Sequence, residues 1–361
     1  MIGFIIILII LGYYIQQLSM KNSIEGLIYS IKTSKLKVEP LEEFEIITSV
    51  KNDKFRFISF LRFEEHFAPQ TNILNKGAKF NTDIMGNLVH KFSTYMLPKS
   101  KLERRFRANL PARGLYVYKG ELVKSGDFLG IHENIKYLDV LTEILVYPKA
   151  INMANMQNML GGFLGDLSVR RFIMEDPVLT VGSREYTSSD PMKNISWKHS
   201  ARTGKLMVKQ FDYTVEATVS IMLDVNTKKM DEERKLIFEK CFSIARSVCE
   251  MLEQKGIKYD FITNATTCSA LSSWDYVAEG LGRSHFNYIL EGLSRASAYR
   301  CNESYQKTIE KLIKMQEIGR STIIITPEKS LEKDYLANNL RAKTNGIVTT
   351  IYGEDVLVWN F

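Results

Sequence analysis

Residues 182–226 read GSREYTSSDPMKNISWKHSARTGKLMVKQFDYTVEATVSIMLDVN. The segment opens with charged, turn-rich residues from Gly182 to Pro191. A block of aromatic and basic side chains follows: Ile195, Trp197, Lys198, Arg202 and Lys205. It closes with the apolar run Ala217–Leu223 and then Asp224. An apolar run of strand length that ends in Asp and a polar loop, with a helical pattern behind it, reads as the first strand of an α/β unit. Ligands of open α/β sheets bind beyond the carboxyl ends of the strands. Asp224 therefore stands where topology expects a site, with Asn226 and Thr266 on the same rim.

Downstream, helical and strand patterns alternate. Leu236, Phe238, Phe242, Ala245, Val248 and Leu252 recur at three- and four-residue intervals and predict a helix over 232–254, ended by Gly256. Strands are expected at 259–263, 321–326 and 346–352, with an edge strand at 356–361. Helices are expected at 285–299, 304–318 and 331–342. Such alternation implies βαβ crossovers and a mostly parallel, Rossmann-like sheet over 216–361.

Upstream, residues 150–215 form a connector. Met153, Met156 and Met159 recur every third residue and stack along one side of a helix that ends at Gly161-Gly162, a packing role rather than a cofactor box. Over 36–149, short alternating segments (36–38, 44–50, 55–63, 89–96, 114–122, 142–147) are separated by turn residues, which is the signature of an antiparallel β-sandwich. The basic run Lys99–Arg113 reads as a solvated strand face, or as a patch facing anionic lipid.

Residues 1–20 begin MIGFIIILIILGYYI, without a charged side chain before Lys21. This predicts a single transmembrane helix with Tyr13 and Tyr14 at the interface. Lys21, Lys32, Lys35 and Lys37 follow the span, so the positive-inside rule places the bulk of the chain in the cytoplasm. Residues 21–35 are the juxtamembrane segment, and residues 19–34 are read as a short amphipathic surface helix carrying Ile24, Leu27, Ile28 and Ile31 on one side. The expected localisation is a single-pass protein of the cell membrane in contact with the lipid bilayer.

Composition narrows the classes. With 48 basic and 41 acidic side chains the net charge is +7, and the signs are mixed along the chain, which argues against a dedicated nucleic-acid binder. Cys241, Cys249, Cys268 and Cys301 form no CxxC and no zinc-ligand spacing with a His. No Walker, GxSxG, HExxH or GxGxxG sequence occurs. His199 and Asp190 suggest two members of a triad, but no nucleophile is marked. No enzyme is expected and no cofactor; Mg2+ at Asp224 is the alternative, and a lone carboxylate is a poor cage for it.

The block Arg184-Glu185-Tyr186, Asp190, Ile195, Trp197-Lys198, Ser200-Ala201-Arg202 holds both signs of charge around one Trp. Arg184 and Arg202 each offer bidentate bonds to a carboxylate. The block reads either as an interdomain web or as a recognition surface, because Trp and Arg are enriched at interface hot spots.

With Leu206-x-Val208-Lys209 and the strand ending at Asp224, these residues resemble the domain of unknown function 58 family. Arg113-Gly114-Leu115-Tyr116-Val117-Tyr118, Gly126-Asp127-Phe128-Leu129-Gly130-Ile131 and Leu145-Val146-Tyr147-Pro148 fit the same family. The resemblance spans roughly residues 36–360. It implies a prokaryotic, membrane-anchored chain whose C-terminal domain is von Willebrand factor A-like. In that fold an Asp-x-Ser-x-Ser pattern after the first strand helps to bind a divalent cation. Here the frame reads Asp224-Val225-Asn226-Thr227-Lys228, which is degenerate. Family members are commonly encoded beside MoxR-type AAA+ ATPases, so the resemblance implies an adaptor or co-chaperone for such an ATPase. An extracytoplasmic, adhesin-like ligand binder is the alternative.

Overall fold

Leu27, Tyr29 and Ile31 are buried while Ile28 is exposed, a period of two, and the segment Leu27–Thr33 is accordingly a strand, β1. The surface helix expected there is corrected: the apolar residues satisfy a strand face better than a helix stripe. In the computed structural model the described residues are 10, 12, 24–75, 77, 79–126, 133–173, 180–188, 190–211, 218–226, 231–268, 274–316 and 319–355. They fall into two units, Met1–Lys149 and Ala150–Phe361.

The first unit continues with β2 (Lys37–Val38), β3 (Phe44–Asn52), β4 (Ile58–Phe67), β5 (Asn72–Ile73), β6 (Asn81–Thr82) and β7 (Leu88–Met96). After them come β8 (Lys101–Asn109), β9 (Gly114–Tyr118), β10 (Glu121–Gly126), β11 (Glu133–Leu138) and β12 (Thr142–Val146). They form sheets ordered β1-β3-β8-β5, β11-β10-β4-β7-β6 and β2-β12-β9. Inward residues of all three sheets, among them Ile46, Leu61, Phe63, Phe106, Tyr118 and Ile144, share one apolar cluster. Each such side chain contributes about 1.5–3 kcal/mol by leaving water.

The second unit opens with helix α1 (Met153–Ile173) and an excursion made of β13 (Thr180–Glu185), α2 (Trp197–Thr203) and β14 (Met207–Phe211). Helix α1 runs through Gly161 and Gly162 instead of stopping there. Met156, Leu160, Phe163 and Leu167 are buried, which outweighs the roughly 1 kcal/mol that each glycine costs a helix.

Strand β15 (Thr218–Leu223) then leads to α3 (Glu232–Gln254), β16 (Lys258–Thr263), β17 (Ala265–Thr267), β18 (Tyr276–Gly280) and α4 (Arg283–Arg295). The chain closes with β19 (Ala296–Cys301), α5 (Tyr305–Met315), β20 (Ser321–Thr326), α6 (Leu331–Thr344) and β21 (Val348–Tyr352). The central sheet has the order β18-β16-β15-β20-β21. The helix expected to reach residue 299 stops at Arg295, and Ala296–Cys301 pairs with β17 instead.

The expected fold class is corrected on two counts. Eleven of the fifteen strand pairings among the described residues are antiparallel. Among the described residues of the second unit, parallel pairing is confined to β16/β15, β15/β20 and β20/β21. Around it lie an antiparallel edge strand, β18, and two antiparallel ribbons, β13/β14 and β17/β19. The mostly parallel, Rossmann-like and von Willebrand factor A-like description therefore gives way to a chain rich in antiparallel sheet.

Secondly, among the described residues no helix is long and apolar enough to cross a membrane. The transmembrane helix and the single-pass membrane localisation are withdrawn. As a helix the apolar run Met1–Ile15 would reach only about 22 Å, short of the roughly 30 Å hydrocarbon layer. Apart from residues 10 and 12, the expected span 1–20 lies outside the described residues. So do residues 127–131 of the upstream motif, Lys228 and the expected edge strand 356–361.

Candidate functional site

Asp224 follows β15 at the carboxyl edge of the central sheet and is fully buried. Its backbone N–H donates to the Ile325 carbonyl at 2.8 Å, which fixes it against β20. Both carboxylate oxygens are engaged. Oδ1 accepts from the Asn226 N–H at 2.9 Å and from Asn264 Nδ2 at 2.7 Å. Oδ2 accepts from Thr326 Oγ1 and from Lys333 Nζ, each at 2.8 Å. Lys333, on α6, is itself buried, and its ammonium also reaches Thr326 Oγ1 at 2.8 Å and the Asn226 carbonyl at 3.4 Å. A buried carboxylate demands a counter-charge and hydrogen bonds, and here the chain supplies both.

The Lys333 ammonium thus occupies the cationic position beside Asp224, 5.3 Å over the Tyr305 ring. Burial, followed by the Asp224 charge, pushes the Tyr305 hydroxyl up, and the same two causes push up the Cys241 thiol. Among the described residues no group of three or more His, Cys, Asp or Glu side chains is placed to hold a metal ion. Asn226 is half-buried and enters the site through its backbone. Thr266 joins at one remove: its hydroxyl donates to Asn302 Oδ1 at 2.8 Å, and the Asn302 N–H donates to the Asn264 carbonyl at 2.8 Å. The structure links Asp224 and Asn226 in a brace around the buried carboxylate, and Thr266 only through an exposed bond at its edge. Sequence reasoning missed Lys333, Thr326 and Asn264, the residues that complete it.

The second expected cluster lies on the 180–211 excursion. Arg184 makes a bidentate pair with Asp190 at 2.8 and 2.5 Å. Thr187 adds its N–H at 2.9 Å and its hydroxyl at 2.7 Å. The Arg184 guanidinium first, and then Thr187, hold the Asp190 carboxyl well below the usual carboxylate range. Glu185 accepts from Lys205 at 2.6 Å. The Tyr186 N–H donates to the Leu206 carbonyl at 2.9 Å.

Ser200 ties α2 to β14: its hydroxyl donates to the Ser196 carbonyl at 2.9 Å and accepts the Met207 N–H at 2.8 Å. Trp197, Lys198 and Arg202 are not part of this web. Helix α2 has no buried residue, and Trp197 is 68% exposed. His199 Nδ1 lies 3.0 Å from Ser196 Oγ, while Asp190 is committed to Arg184 and Thr187, so these three side chains form no relay.

A third polar group lies in the first unit, where no site was expected. Tyr29 donates to Glu121 Oε1 at 2.9 Å. Glu65 pairs with Arg104, which stacks 3.3 Å over the Phe92 ring, and His90 Nδ1 lies 3.4 Å from Glu65. Burial, reinforced by Glu65, pushes the Glu121 carboxyl up to about 9. Arg104 belongs to the basic run read as a solvated or lipid-facing face. Strand alternation sends Lys101, Glu103, Arg105 and Arg107 outward and turns Arg104 and Phe106 toward the buried groups.

Comparison with known proteins covers these sites unevenly. The family model described as "Protein of unknown function DUF58" matches residues 182–344, which takes in the excursion and the Asp224 brace but not the first unit. The chain is 22% identical over 252 residues to "Uncharacterized protein YeaD" of Bacillus subtilis strain 168, a match covering 63% of this chain and 59% of that protein. Among solved structures, a cohesin module from Clostridium perfringens is 15% identical, covers 34% of this chain and 96% of that one, and has a TM-score of 0.23. A CARDB domain from Pyrococcus furiosus is 14% identical, covers 33% and 91%, and has a TM-score of 0.22. At such scores neither structure carries an argument about this chain.

Proposed function

We propose that the chain is a protein-interaction module without catalytic chemistry of its own, serving as an adaptor for an AAA+ ATPase of the MoxR type. One observation carries the interaction reading. Trp197 is 68% exposed on a helix that buries nothing, and Met192 at 72% and Leu206 at 49% are exposed on the same excursion. Large apolar side chains left exposed on ordered elements mark interaction surfaces, and Trp is among the residue types enriched at their hot spots. The ATPase as partner comes from the family resemblance, which the match over 182–344 supports.

Asp224 has a different part in this reading. With both oxygens engaged, it holds the ends of β15, β16 and β20 in register instead of touching a partner. The test is co-expression of the full chain with a MoxR-type ATPase from the same genome and affinity recovery of the pair. Trp197→Ala is expected to lose the ATPase while retaining native circular dichroism. Recovery equal to wild type would count against the proposal.

A further inference from the structure

We infer that the outer face of α2 docks an acidic polypeptide segment carrying an apolar anchor; this rests on the interaction reading above and names the chemistry of the partner. Residues 180–211 contain six basic and two acidic side chains, a net +4 within a chain whose total is +7. The two acids are already used, Asp190 by Arg184 and Glu185 by Lys205. Lys193, Lys198, Arg202 and Lys209 remain exposed without a carboxylate partner among the described residues. The local web thus consumes its own anions and leaves a cationic surface.

Helical geometry sets that surface around the Trp. At about 100° per residue, Lys198 and Arg202 share one stripe of α2, opposite the half-buried Ser200 that binds β14. Trp197 and Ala201 form the neighbouring stripe. A cationic stripe beside an exposed indole suits a ligand with carboxylates next to a hydrophobic side chain: the charges steer encounter and the indole supplies contact area. A seven-residue helix is only about 10 Å long. That fits a short peptide segment better than the long phosphate track that nucleic acid requires.

The experiment uses the full chain and a short fluorescein-labelled peptide in which glutamates flank two central leucines, followed by fluorescence anisotropy. Its lysine-flanked counterpart, phosphatidylserine vesicles and single-stranded DNA are run beside it. The inference expects binding of the acidic peptide that weakens with added salt, and a loss of about tenfold or more in Lys198→Glu/Arg202→Glu. Because α2 buries no residue, these substitutions leave the fold intact, as circular dichroism will show. Equal binding by the charge-reversed variant, failure of the acidic peptide to bind, or preference for vesicles or DNA would overturn the inference.

Both variants are also assayed for ATPase recovery. If Trp197→Ala loses the ATPase and charge reversal does not, the acidic-partner inference fails alone. If neither variant loses it, the interaction reading fails too.

Discussion

Lys333 Nζ lies 2.8 Å from Asp224 Oδ2 across 109 residues of sequence, and the pair is buried at the carboxyl edge of the central sheet. Truncating one member leaves the other charge without compensation. Lys333→Met is expected to cost about 3–5 kcal/mol. Asp224→Leu/Lys333→Met, which removes both charges, is expected to cost less than the single change. Urea unfolding midpoints of the three proteins decide this, and a double variant worse than Lys333→Met would refute a compensated pair.

Glu121 governs a pH dependence in the first unit. Its folded-state pKa is raised to about 9 from an ordinary 4.5, by burial first and then by Glu65. Below the ordinary value both folded and unfolded forms are protonated and no penalty arises. As pH rises, the unfolded chain ionises first, so stability falls until the folded-state value is passed. Wild type is therefore expected to lose stability between pH ~5 and ~8, and Glu121→Gln to flatten that slope by on the order of 1–3 kcal/mol. Thermal unfolding followed across that range checks the sign. A steeper slope in the variant would contradict it.

Gly292 sits where α4 meets Trp274. A Cβ at that position would lie 1.6 Å from Trp274 Nε1 and 1.7 Å from Cε2, and the indole is 1% exposed. Gly292→Ala must displace the ring and is expected to destabilise by about 1–3 kcal/mol or more. Tryptophan emission from the folded variant should shift to the red as Trp274 gains water. An unshifted spectrum with unchanged stability would show that the helix adjusts instead.

Ser200 is the clasp between α2 and β14. Ser200→Ala leaves the Met207 N–H without its acceptor at 2.8 Å and removes the bond to the Ser196 carbonyl. A loss of about 1 kcal/mol is expected, together with faster amide hydrogen exchange at Met207 than in wild type. Unchanged exchange there would mean that the hairpin holds α2 without the clasp.

Helix α3 was legible because Phe238, Phe242, Ala245, Val248 and Leu252 recur at helical spacing and are buried, although Leu236, read into the same pattern, is exposed. Strand β20 was legible for the same reason, since all six of its residues from Ser321 to Thr326 are buried. The Asp224 brace was half legible. Topology marks the carboxyl end of β15, but a lysine on an amphipathic helix reads as solvent-facing, and nothing local to Lys333 announces a carboxylate 109 residues away. Arg104 was hidden likewise inside a basic run whose alternate members do face water.

Two errors came from reading composition without its competing geometry. An apolar run without charges suggested a membrane span although its length fell short. A strand-helix alternation suggested a mostly parallel sheet, whereas the second unit also holds the antiparallel pairings β13/β14, β16/β18 and β17/β19, in segments read as connector, loop or helix such as Ala296–Cys301. The block around Trp197 was read as an interdomain web or a recognition surface; the ion pairs found there join Arg184 to Asp190 and Lys205 to Glu185, and Trp197 lies outside them. Its exposure is a tertiary fact that residue spacing does not encode.

The most direct test of the interaction reading is the affinity of the purified full chain for a purified MoxR-type AAA+ ATPase from the same genome, measured by isothermal titration calorimetry for wild type and Trp197→Ala. The account predicts saturable binding by wild type and a loss of at least about 2 kcal/mol, some thirtyfold, in the variant. Absence of wild-type binding, or equal affinity in the two proteins, would contradict it.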